Sequence, residues 1–246
     1  MLAILVLQML NNKKDELMKR NFQLTALVLL LMVITPNLVS AQFRSFVLGI
    51  KAAPTISWLS TNQQHYSSEG VTMGFTWGVA SEFYFAKNYA LATGLNMVFL
   101  NGKLSYPDVI DDTDVTLNRK YRMRYLEIPA VLKMKTNDIG SFRYFGQVGL
   151  GLGIRTSSKA SDEYTLDNKT IVKDFYNIDE QTKLFKASMI VGVGVEYPFD
   201  NNTALVASIN LNNGFSNILK GKNKVHPALS HEAKPDYIEI SVGVMF

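Results

Sequence analysis

Cysteine is absent from the 246-residue chain, and histidine occurs only three times. Without cysteine the chain has no disulfide scaffold, cysteine zinc site, iron–sulfur cluster or thiol nucleophile. Three histidines leave little for a histidine-built metal centre, so neither a metal site nor a cofactor is expected. Charged residues are also scarce, at 19% of the chain, whereas a soluble domain usually carries about a quarter.

The N-terminal part of the chain has the features of an export signal. Met18 is followed by a basic pair and then by an apolar run over residues 24–34. The run is shorter than the about 20 residues of a transmembrane helix, but it suits the core of a signal peptide. Short side chains before Ala41 predict cleavage between Ala41 and Gln42. We therefore expect translation to start at Met18, the leader to end at Ala41, and residues 42–246 to form one mature domain.

The leader also accounts for half of the basic excess. The whole chain has a net charge of +4, and removal of the leader leaves 21 bases against 19 acids. The remaining bases form no dense Lys/Arg stripe, so a nucleic-acid partner is not expected.

Alternation of apolar with small or polar residues dominates the mature chain. Between Val71 and Phe85, seven of the eight odd-numbered positions are apolar, and the even-numbered positions are mostly small or polar. A period of two indicates a β-strand with one apolar face. Eight such segments are predicted: 43–53, 71–85, 89–100, 119–135, 142–155, 183–197, 203–212 and 236–246.

Short and long connections alternate between these segments. Short turns are expected at 86–88, 136–141 and 198–202, and long polar loops at 54–70, 101–118, 156–182 and 213–235. An even strand number with short turns on one side and long loops on the other is typical of a bacterial outer-membrane barrel. In such a barrel the short turns and both termini are periplasmic, and the long loops are extracellular.

A soluble up-and-down barrel alternates in the same way, but with its apolar face inward. Its outer face needs many charges, whereas the second predicted strand offers only Glu82, and the fifth has Gly149, Gly151 and Gly153 in a row. Aromatic residues also gather at the strand ends near the short turns, as in an interfacial girdle. We therefore predict an all-β, eight-stranded, antiparallel transmembrane β-barrel.

Four stretches carry further motifs. They are YLEIP at 125–129, YFG at 144–146, GVGVEY at 192–197 and NGFSNI at 213–218. Together with the alternation over the mature chain, they resemble the PorT-like outer-membrane β-barrel family of Gram-negative bacteria. The resemblance implies a part in type IX secretion of cargo across the outer membrane, with other secretion-system proteins as partners. The last strand, which ends at Phe246, resembles the C-terminal signal that the barrel-assembly machinery reads.

The apolar phase of each strand predicts which charged side chains point into the barrel. Nine do so: Lys51, Glu82, Glu127, Lys133, Arg143, Arg155, Lys186, Glu196 and Glu239. The interior of an eight-stranded barrel is just wide enough to be filled by side chains, and buried charges there need partners. Four of the nine are expected to form an ion-pair cluster that closes the periplasmic mouth: Glu82, Lys133, Arg143 and Glu196. A proton or ion path through this cluster is the alternative.

Two features depart from the regular pattern. Pro129 has no backbone N–H to donate to a neighbouring strand, which predicts a β-bulge beside it. Arg122 and Arg124 share the parity of the lipid-facing Leu126 and Ile128 but lie nearer the extracellular side. They are expected to stand above the membrane, either as a solvated strand extension or in contact with lipopolysaccharide phosphates.

Other candidate chemistry is weak. The second long loop has four aspartates without the glycine and final glutamate of a calcium-binding loop, namely Asp108, Asp111, Asp112 and Asp114. They are expected to be solvated or attracted to three lysines of the fourth loop, Lys220, Lys222 and Lys224. All three histidines lie in long loops, at His65, His226 and His231, and no G-x-S-x-G motif occurs. An enzyme is therefore not expected.

The first functional hypothesis is a non-enzymatic accessory or assembly component of protein secretion, as the family resemblance implies. The alternatives are a surface interaction barrel (an adhesin or lipopolysaccharide-organising protein), a lipid-modifying enzyme and a small pore. A pore is disfavoured because eight strands leave no aqueous lumen. The expected partners are outer-membrane lipid and lipopolysaccharide, the barrel-assembly machinery and other secretion-system proteins.

Overall fold

The computed structural model describes residues 46–200 and 202–246, so the leader and the predicted cleavage site at Ala41 and Gln42 lie outside the described residues. The strands are β1 (Phe46–Ser60), β2 (Ser67–Ser68), β3 (Thr72–Ala86), β4 (Tyr89–Ile110), β5 (Thr113–Lys135), β6 (Arg143–Leu166), β7 (Lys169–Asn177), β8 (Phe185–Pro198), β9 (Ala204–Gly214) and β10 (Lys234–Met245). One turn of 3-10 helix covers Asp179–Gln181.

No helix in the described ranges is long and apolar enough to cross a membrane.

Eight of the strands form a closed antiparallel ring. In order around it they are β1, β3, β4, β5, β6, β8, β9 and β10, and β10 pairs back onto β1. The closing seam runs from Gly49 opposite Met245 to Ser60 opposite Lys234. The two remaining strands lie outside this ring, β2 against β4 and β7 against β6. The predicted eight-stranded antiparallel barrel is confirmed.

The ring has its apolar face on the outside. On β3, for example, Met73, Phe75, Trp77 and Val79 are 44–76% exposed, whereas Thr76 between them is fully buried. This polarity is the reverse of a soluble barrel, which would place these large side chains in water. Exposed apolar side chains over a closed backbone ladder are what the hydrocarbon of a bilayer requires. We call this outer zone the apolar band.

The two ends of the barrel differ in length. At one end, here the turn end, β3 and β4 are joined by a tight turn and the other connections are short. At the other end, here the hairpin end, β4, β5 and β6 have 22 to 24 residues and continue beyond the apolar band.

Two of the long loops expected from the sequence are in fact extended hairpins. β4 and β5 are joined by a turn at Asp111 and Asp112, with φ of 48° and 58°, and β6 and β7 by a turn at Asp167 and Asn168, with φ of 46° and 60°. Positive φ at both central residues is the type I′ geometry that matches the twist of paired strands. The expectation of long polar loops over 101–118 and 156–182 was therefore wrong for most of these residues, which belong to paired strands.

The polarity of the wall reverses in these extensions. Along β5, Tyr121, Met123 and Tyr125 are buried, and the intervening Arg122 and Arg124 are exposed. The inward side chains join a buried apolar cluster that fills the hairpin end: Leu59, Tyr66, Val98, Leu100, Leu104, Tyr106, Leu117, Tyr121, Met123, Tyr125, Ala160, Ile178, Ile218, Leu219, Ala233 and Tyr237. The barrel thus has a polar interior inside the apolar band and an apolar core beyond it.

Pro129 does not produce the predicted bulge. It keeps register with Gly151 of β6 on one side, and on the other side the ladder to β4 is interrupted for two residues without a register shift. The register shift of β5 lies between Arg124 and Tyr125, against β6. A gap in one ladder is therefore how the barrel accommodates the missing N–H.

Candidate functional site

Two lysines and two glutamates form a closed ion-pair cycle inside the turn end. Lys133 Nζ lies 2.6 Å from Glu82 and 2.7 Å from Glu196, and Lys135 Nζ lies 2.7 Å and 2.6 Å from the same two carboxylates. All four side chains are at most 8% exposed. They come from β3, β5 and β8, so the cycle spans the lumen. We call it the turn-end cycle.

Aromatic groups complete the surroundings of the two lysines. Lys133 Nζ lies 3.8 Å from the centroid of the Phe145 ring, an arrangement that stabilises a desolvated cation. Tyr84 donates its hydroxyl proton to Glu82 and is also in contact with Lys135. Each charge of the cycle therefore has several partners, as a buried charge requires.

Arg143, expected in this cluster, is not part of the cycle. Its backbone lies opposite Glu196 on β8, and its side chain lines the same opening. The guanidinium, however, pairs with Asp138 in the preceding turn, and these two side chains are 42% and 61% exposed. Lys135 takes the fourth place. It has the same parity as Lys133, so the alternation in the sequence already contained the signal.

Further ion pairs lie in the middle of the lumen. Lys186 of β8 pairs with Glu127 of β5, and the Tyr237 hydroxyl donates to both oxygens of Glu127 at 3.3 and 3.4 Å. Lys51 of β1 lies 2.9 Å from Glu239 of the adjacent strand β10. These contacts leave an internal cavity of about 100 Å³, which is room for only a few water molecules at about 30 Å³ each.

The hairpin end is covered by residues 215–233, here the cap loop. Asn223 is buried and donates to the Tyr66 hydroxyl at 2.9 Å and to the Pro107 carbonyl at 2.7 Å. The Tyr66 hydroxyl also lies 2.8 Å from Nδ1 of His231. Burial lowers the pKa of His231 and raises that of Tyr66. A neutral imidazole that accepts the tyrosine proton fits both directions.

Two arginines fix the walls under the cap loop. Arg119 binds Asp162 through two hydrogen bonds of 2.6 and 2.7 Å, and Tyr176 donates to the same carboxylate. Arg155, predicted to face inward, donates to the carbonyls of Asp179 and Thr182 at 2.7 and 2.6 Å. The Arg119–Asp162 pair is not indicated by the sequence pattern, because Asp162 lies in the segment 156–182 that the pattern predicts as a loop.

The remaining charged and histidine candidates lie near the tip of the hairpin end. Lys224 is 3.7 Å from Asp108, which brings the cap loop to the β4–β5 hairpin. His65 and His226 stack with their ring centroids 4.5 Å apart. Among the described residues, no group of three or more His, Cys, Asp or Glu side chains is placed to hold a metal ion.

Arg122 and Arg124 point outward, just beyond the apolar band. The Arg122 guanidinium lies 3.9 Å from the centroid of the Phe175 ring, and that of Arg124 lies 5.4 Å from that of Phe99. Both arginines are exposed. Their predicted contact with lipid phosphates stays a prediction at this point.

At the seam, Phe246 continues the ladder beyond β10. Its N–H donates to the Leu48 carbonyl at 2.7 Å, and its carbonyl accepts from the Leu48 N–H at 3.1 Å. The ring is about half exposed on the outer surface. Recognition of this residue by the barrel-assembly machinery stays a prediction.

Solved structures of several outer-membrane proteins are similar to this chain. Neisserial surface protein A is 14% identical, with a TM-score of 0.42, and the alignment covers 82% of this chain and 96% of that one. The outer membrane protein OprG from Pseudomonas aeruginosa is 12% identical, with a TM-score of 0.40 and coverage of 82% and 95%. Ail of Yersinia pestis, solved in complex with the heparin analogue sucrose octasulfate, is 12% identical, with a TM-score of 0.32 and coverage of 82% and 99%.

No curated protein matches the chain. A family model described as an outer membrane protein beta-barrel domain matches residues 40–220, which is most of the chain. The matched range includes seven of the eight ring strands, from β1 to β9. With the closed ring, the outward apolar band and this match in agreement, the chain belongs to the outer membrane protein beta-barrel domain family and is a protein of the outer membrane.

Proposed function

We propose that the protein is a non-enzymatic, non-conducting barrel that acts through protein contacts made by its projecting hairpins. The observation that carries the proposal is that the lumen is filled and closed, while the wall formed by β4 to β7 extends well beyond the apolar band. About ten residues of each of β4 and β5 lie past it, which is roughly 30 Å of extended chain. The surface that this fold offers to other molecules is therefore on its outside.

The closure argues against a small pore. An ion that entered from the turn end would have to separate Lys133 and Lys135 from Glu82 and Glu196, and partner loss at a buried pair is costly. Planar-bilayer recordings of the purified protein are expected to show no stable conductance. Conductance that Glu82→Gln abolishes would instead support the ion path.

The positions of the histidines argue against a lipid-modifying enzyme. His231 is bound to Tyr66, and His65 stacks on His226, all at the hairpin end rather than on the lipid-facing wall. Replacement of each histidine in turn is expected to leave the lipid composition of the outer membrane unchanged.

Within this class we assign the protein an accessory or assembly role in secretion across the outer membrane. The support is the PorT-like resemblance, whose four stretches fall on the ring strands β5, β6 and β8 and on the junction of β9 with the cap loop. These stretches include Glu127 and Glu196, which take part in the interior ion pairs described above. The proposed orientation has the turn end and both termini in the periplasm, and the long hairpins at the cell surface, as is usual for such barrels.

Deletion of the gene, followed by quantification of secreted cargo in the medium, tests this role. The expected result is cargo retained in the cell, with secretion restored by the wild-type gene. A second complementing gene lacks residues 109–114 and joins Asp108 to Val115, which are cross-strand neighbours, through Asn-Gly. This variant keeps every residue of the buried cluster and loses only Ile110 from those that pack against it, and it is expected to restore secretion poorly. Normal secretion by the deletion strain would overturn the proposal.

The alternative is a surface interaction barrel that serves attachment. The exposed β6–β7 hairpin favours it, because Ile171 and Val172 are apolar and 37% and 59% exposed there. A deletion strain that secretes cargo normally but attaches poorly to surfaces would favour this alternative. Identification of the proteins that co-purify from gently solubilised outer membrane would separate the two roles directly.

A further inference from the structure

Five basic side chains lie together on the outer face of β4, β5 and β6, directly beyond the apolar band. We call them the basic patch: Lys103, Lys120, Arg122, Arg124 and Lys159. We propose that this patch binds the phosphorylated headgroup of a glycolipid in the outer leaflet, with the acyl chains of that lipid lying on the apolar band. The inference rests on the proposed orientation but not on the proposed role in secretion.

The strand register sets the basic side chains against one another. Lys103 lies directly opposite Lys120 across the β4–β5 ladder, and Arg122 lies directly opposite Lys159 across the β5–β6 ladder. Like charges at directly opposed positions destabilise a sheet. A bound anion would convert this repulsion into attraction, so the arrangement suits a ligand with several negative charges.

The protein itself compensates the charge of the patch only in part. Within residues 46–200 and 202–246, none of the five basic side chains takes part in an ion pair. Three carboxylates border the patch: Glu69, whose backbone N–H donates to the Lys103 carbonyl at 3.1 Å, Asp174, which precedes Phe175, and Glu163. The Glu69 side chain accepts a hydrogen bond from Ser67, and Glu163 lies opposite Asn118, farther from the apolar band. The patch therefore keeps a positive charge that an external anion can compensate.

The two arginines are already held in place. Arg122 stacks on Phe175 and Arg124 lies over Phe99, with separations of 3.9 and 5.4 Å from the ring centroids. A guanidinium on an aromatic face keeps its N–H groups free at its edge, in the fork that matches two phosphate oxygens. Less side-chain freedom is then lost when a phosphate binds.

The dimensions of the patch suit a headgroup with more than one phosphate. Arg124, Arg122 and Lys120 occupy alternate positions of one strand, so neighbours are about 7 Å apart. Lys103 and Lys159 lie on the two adjacent strands, about 5 Å to each side. Two phosphates separated by a sugar unit could each be contacted by two or three of these cations.

The location favours a lipid over a soluble anion. Arg124 lies opposite Phe99, and the next outward residues of β5 towards the membrane are Leu126 and Ile128. Ile128 is half exposed on the apolar band, next to Leu152. A phosphorylated glycolipid satisfies both surfaces at once, whereas a free phosphate would contact the charges alone.

The test measures lipid bound to the folded full-length protein. The barrel is reconstituted in nanodiscs of zwitterionic lipid, and bisphosphorylated lipid A is titrated in, with dephosphorylated lipid A and phosphatidylglycerol as separate arms and inorganic phosphate as a competitor. The triple variant Lys120→Gln, Arg122→Gln, Arg124→Gln is expected to bind lipid A at least about tenfold more weakly, since several charge-assisted hydrogen bonds are lost. The variant Arg122→Lys, Arg124→Lys keeps the positive charge but loses the paired N–H donors of the guanidinium. Its affinity for lipid A is expected to lie between those of the wild type and the triple variant.

A matched control removes the same charge elsewhere. Lys169, Lys183 and Lys220 are exposed at the hairpin end outside the patch, and their replacement by Gln is expected to leave lipid A binding unchanged. An equal loss in this control would overturn the proposal in favour of attraction by net charge. Equal binding of phosphatidylglycerol or dephosphorylated lipid A, or complete competition by millimolar phosphate, would also overturn it. Heat-dependent gel mobility confirms that each variant is folded before titration.

Discussion

Lys133 of β5 lies 2.6 Å from Glu82 of β3, a contact that passes over β4 inside the barrel. Both side chains are nearly fully buried, and Lys135 and Glu196 complete the cycle around them. Two cations and two anions balance there with little exposure to solvent. The behaviour of this cycle on mutation gives the sharpest test of how the lumen is closed.

Removal of one carboxylate from the turn-end cycle should be strongly destabilising. Glu82→Gln leaves Lys133 and Lys135 to share Glu196, and loss of one partner of a buried pair costs about 3–5 kcal/mol. The free energy of unfolding, measured by urea titration in lipid vesicles, reports the effect.

Asp138→Asn is the matched control for this change. It breaks the exposed Arg143–Asp138 pair at the same end of the barrel, which should cost less than about 1 kcal/mol. Equal effects of the two variants would show that the cycle is solvated rather than buried.

Replacement of the whole mid-lumen network should be far milder than removal of one member. Glu127→Leu, Lys186→Met and Tyr237→Phe together remove the ion pair and the hydroxyl that donates to it. A buried pair exchanged for apolar groups of similar volume is often neutral or stabilising, whereas Glu127→Leu alone leaves Lys186 unpaired. Urea titration in lipid vesicles measures the free energy of unfolding of the triple variant and of Glu127→Leu. A triple variant less stable than Glu127→Leu would contradict the expectation.

Gly149 should tolerate no side chain. A Cβ atom there would lie 2.2 Å from the Ala130 carbonyl oxygen of the neighbouring strand, so the backbone would have to shift. Such overpacking costs about 1–3 kcal/mol. Gly146 on the same strand is the control, because a Cβ atom there meets nothing within 4 Å. The folded fraction after refolding into vesicles should fall for Gly149→Ala and not for Gly146→Ala.

The cap loop should loosen as the pH falls. Burial and the positive charge of Arg119 lower the pKa of His231 in the folded protein, so protonation below the unfolded value of about 6.5 favours the open loop. The contact with Tyr66 is therefore fully stabilising above about pH 6.5 and weakens as the pH falls towards the folded pKa. Hydrogen exchange across residues 215–233 at pH 7.5 and pH 5 measures this.

His231→Phe provides the control for the pH experiment. It keeps an aromatic ring beside Tyr66 and Tyr106 but cannot be protonated. Exchange in this variant should depend on pH only through the intrinsic chemistry of exchange. A variant as pH-sensitive as the wild type would place the titrating group elsewhere.

The transmembrane strands were predictable because a single rule governs them: apolar side chains alternate with small or polar ones where lipid lies outside. On β3 this rule placed Trp77 outside and Glu82 inside, as the structure has them. The rule does not extend past the apolar band. On β4, Leu104 and Tyr106 continue the inward parity of Asn96, but there the interior is apolar and the outside is polar. Because the apolar side chains face inward beyond the apolar band, these extensions do not show the outward apolar pattern of the membrane-spanning strands.

The side-chain partners were less predictable than the strands. Parity showed that Glu82, Lys133 and Glu196 face inward, but the pairing depends on where each long side chain ends. Arg143 lies at the rim, where Asp138 of the same connection is nearer than the lumen. The cap-loop contacts of Asn223 bring together residues more than 100 positions apart, and no local sequence pattern predicts such contacts.

The interior ion pairs also bear on how the protein enters the membrane. Lys133–Glu82 passes over one strand, Lys133–Glu196 over another, and Lys186–Glu127 likewise joins non-adjacent strands. A flat, partly formed sheet keeps these partners apart, and its charges must stay in contact with water. Closure of the sheet brings these charges together, and an unpaired charge in hydrocarbon is costly. The interior ion pairs therefore favour a sheet that curls and closes as it inserts.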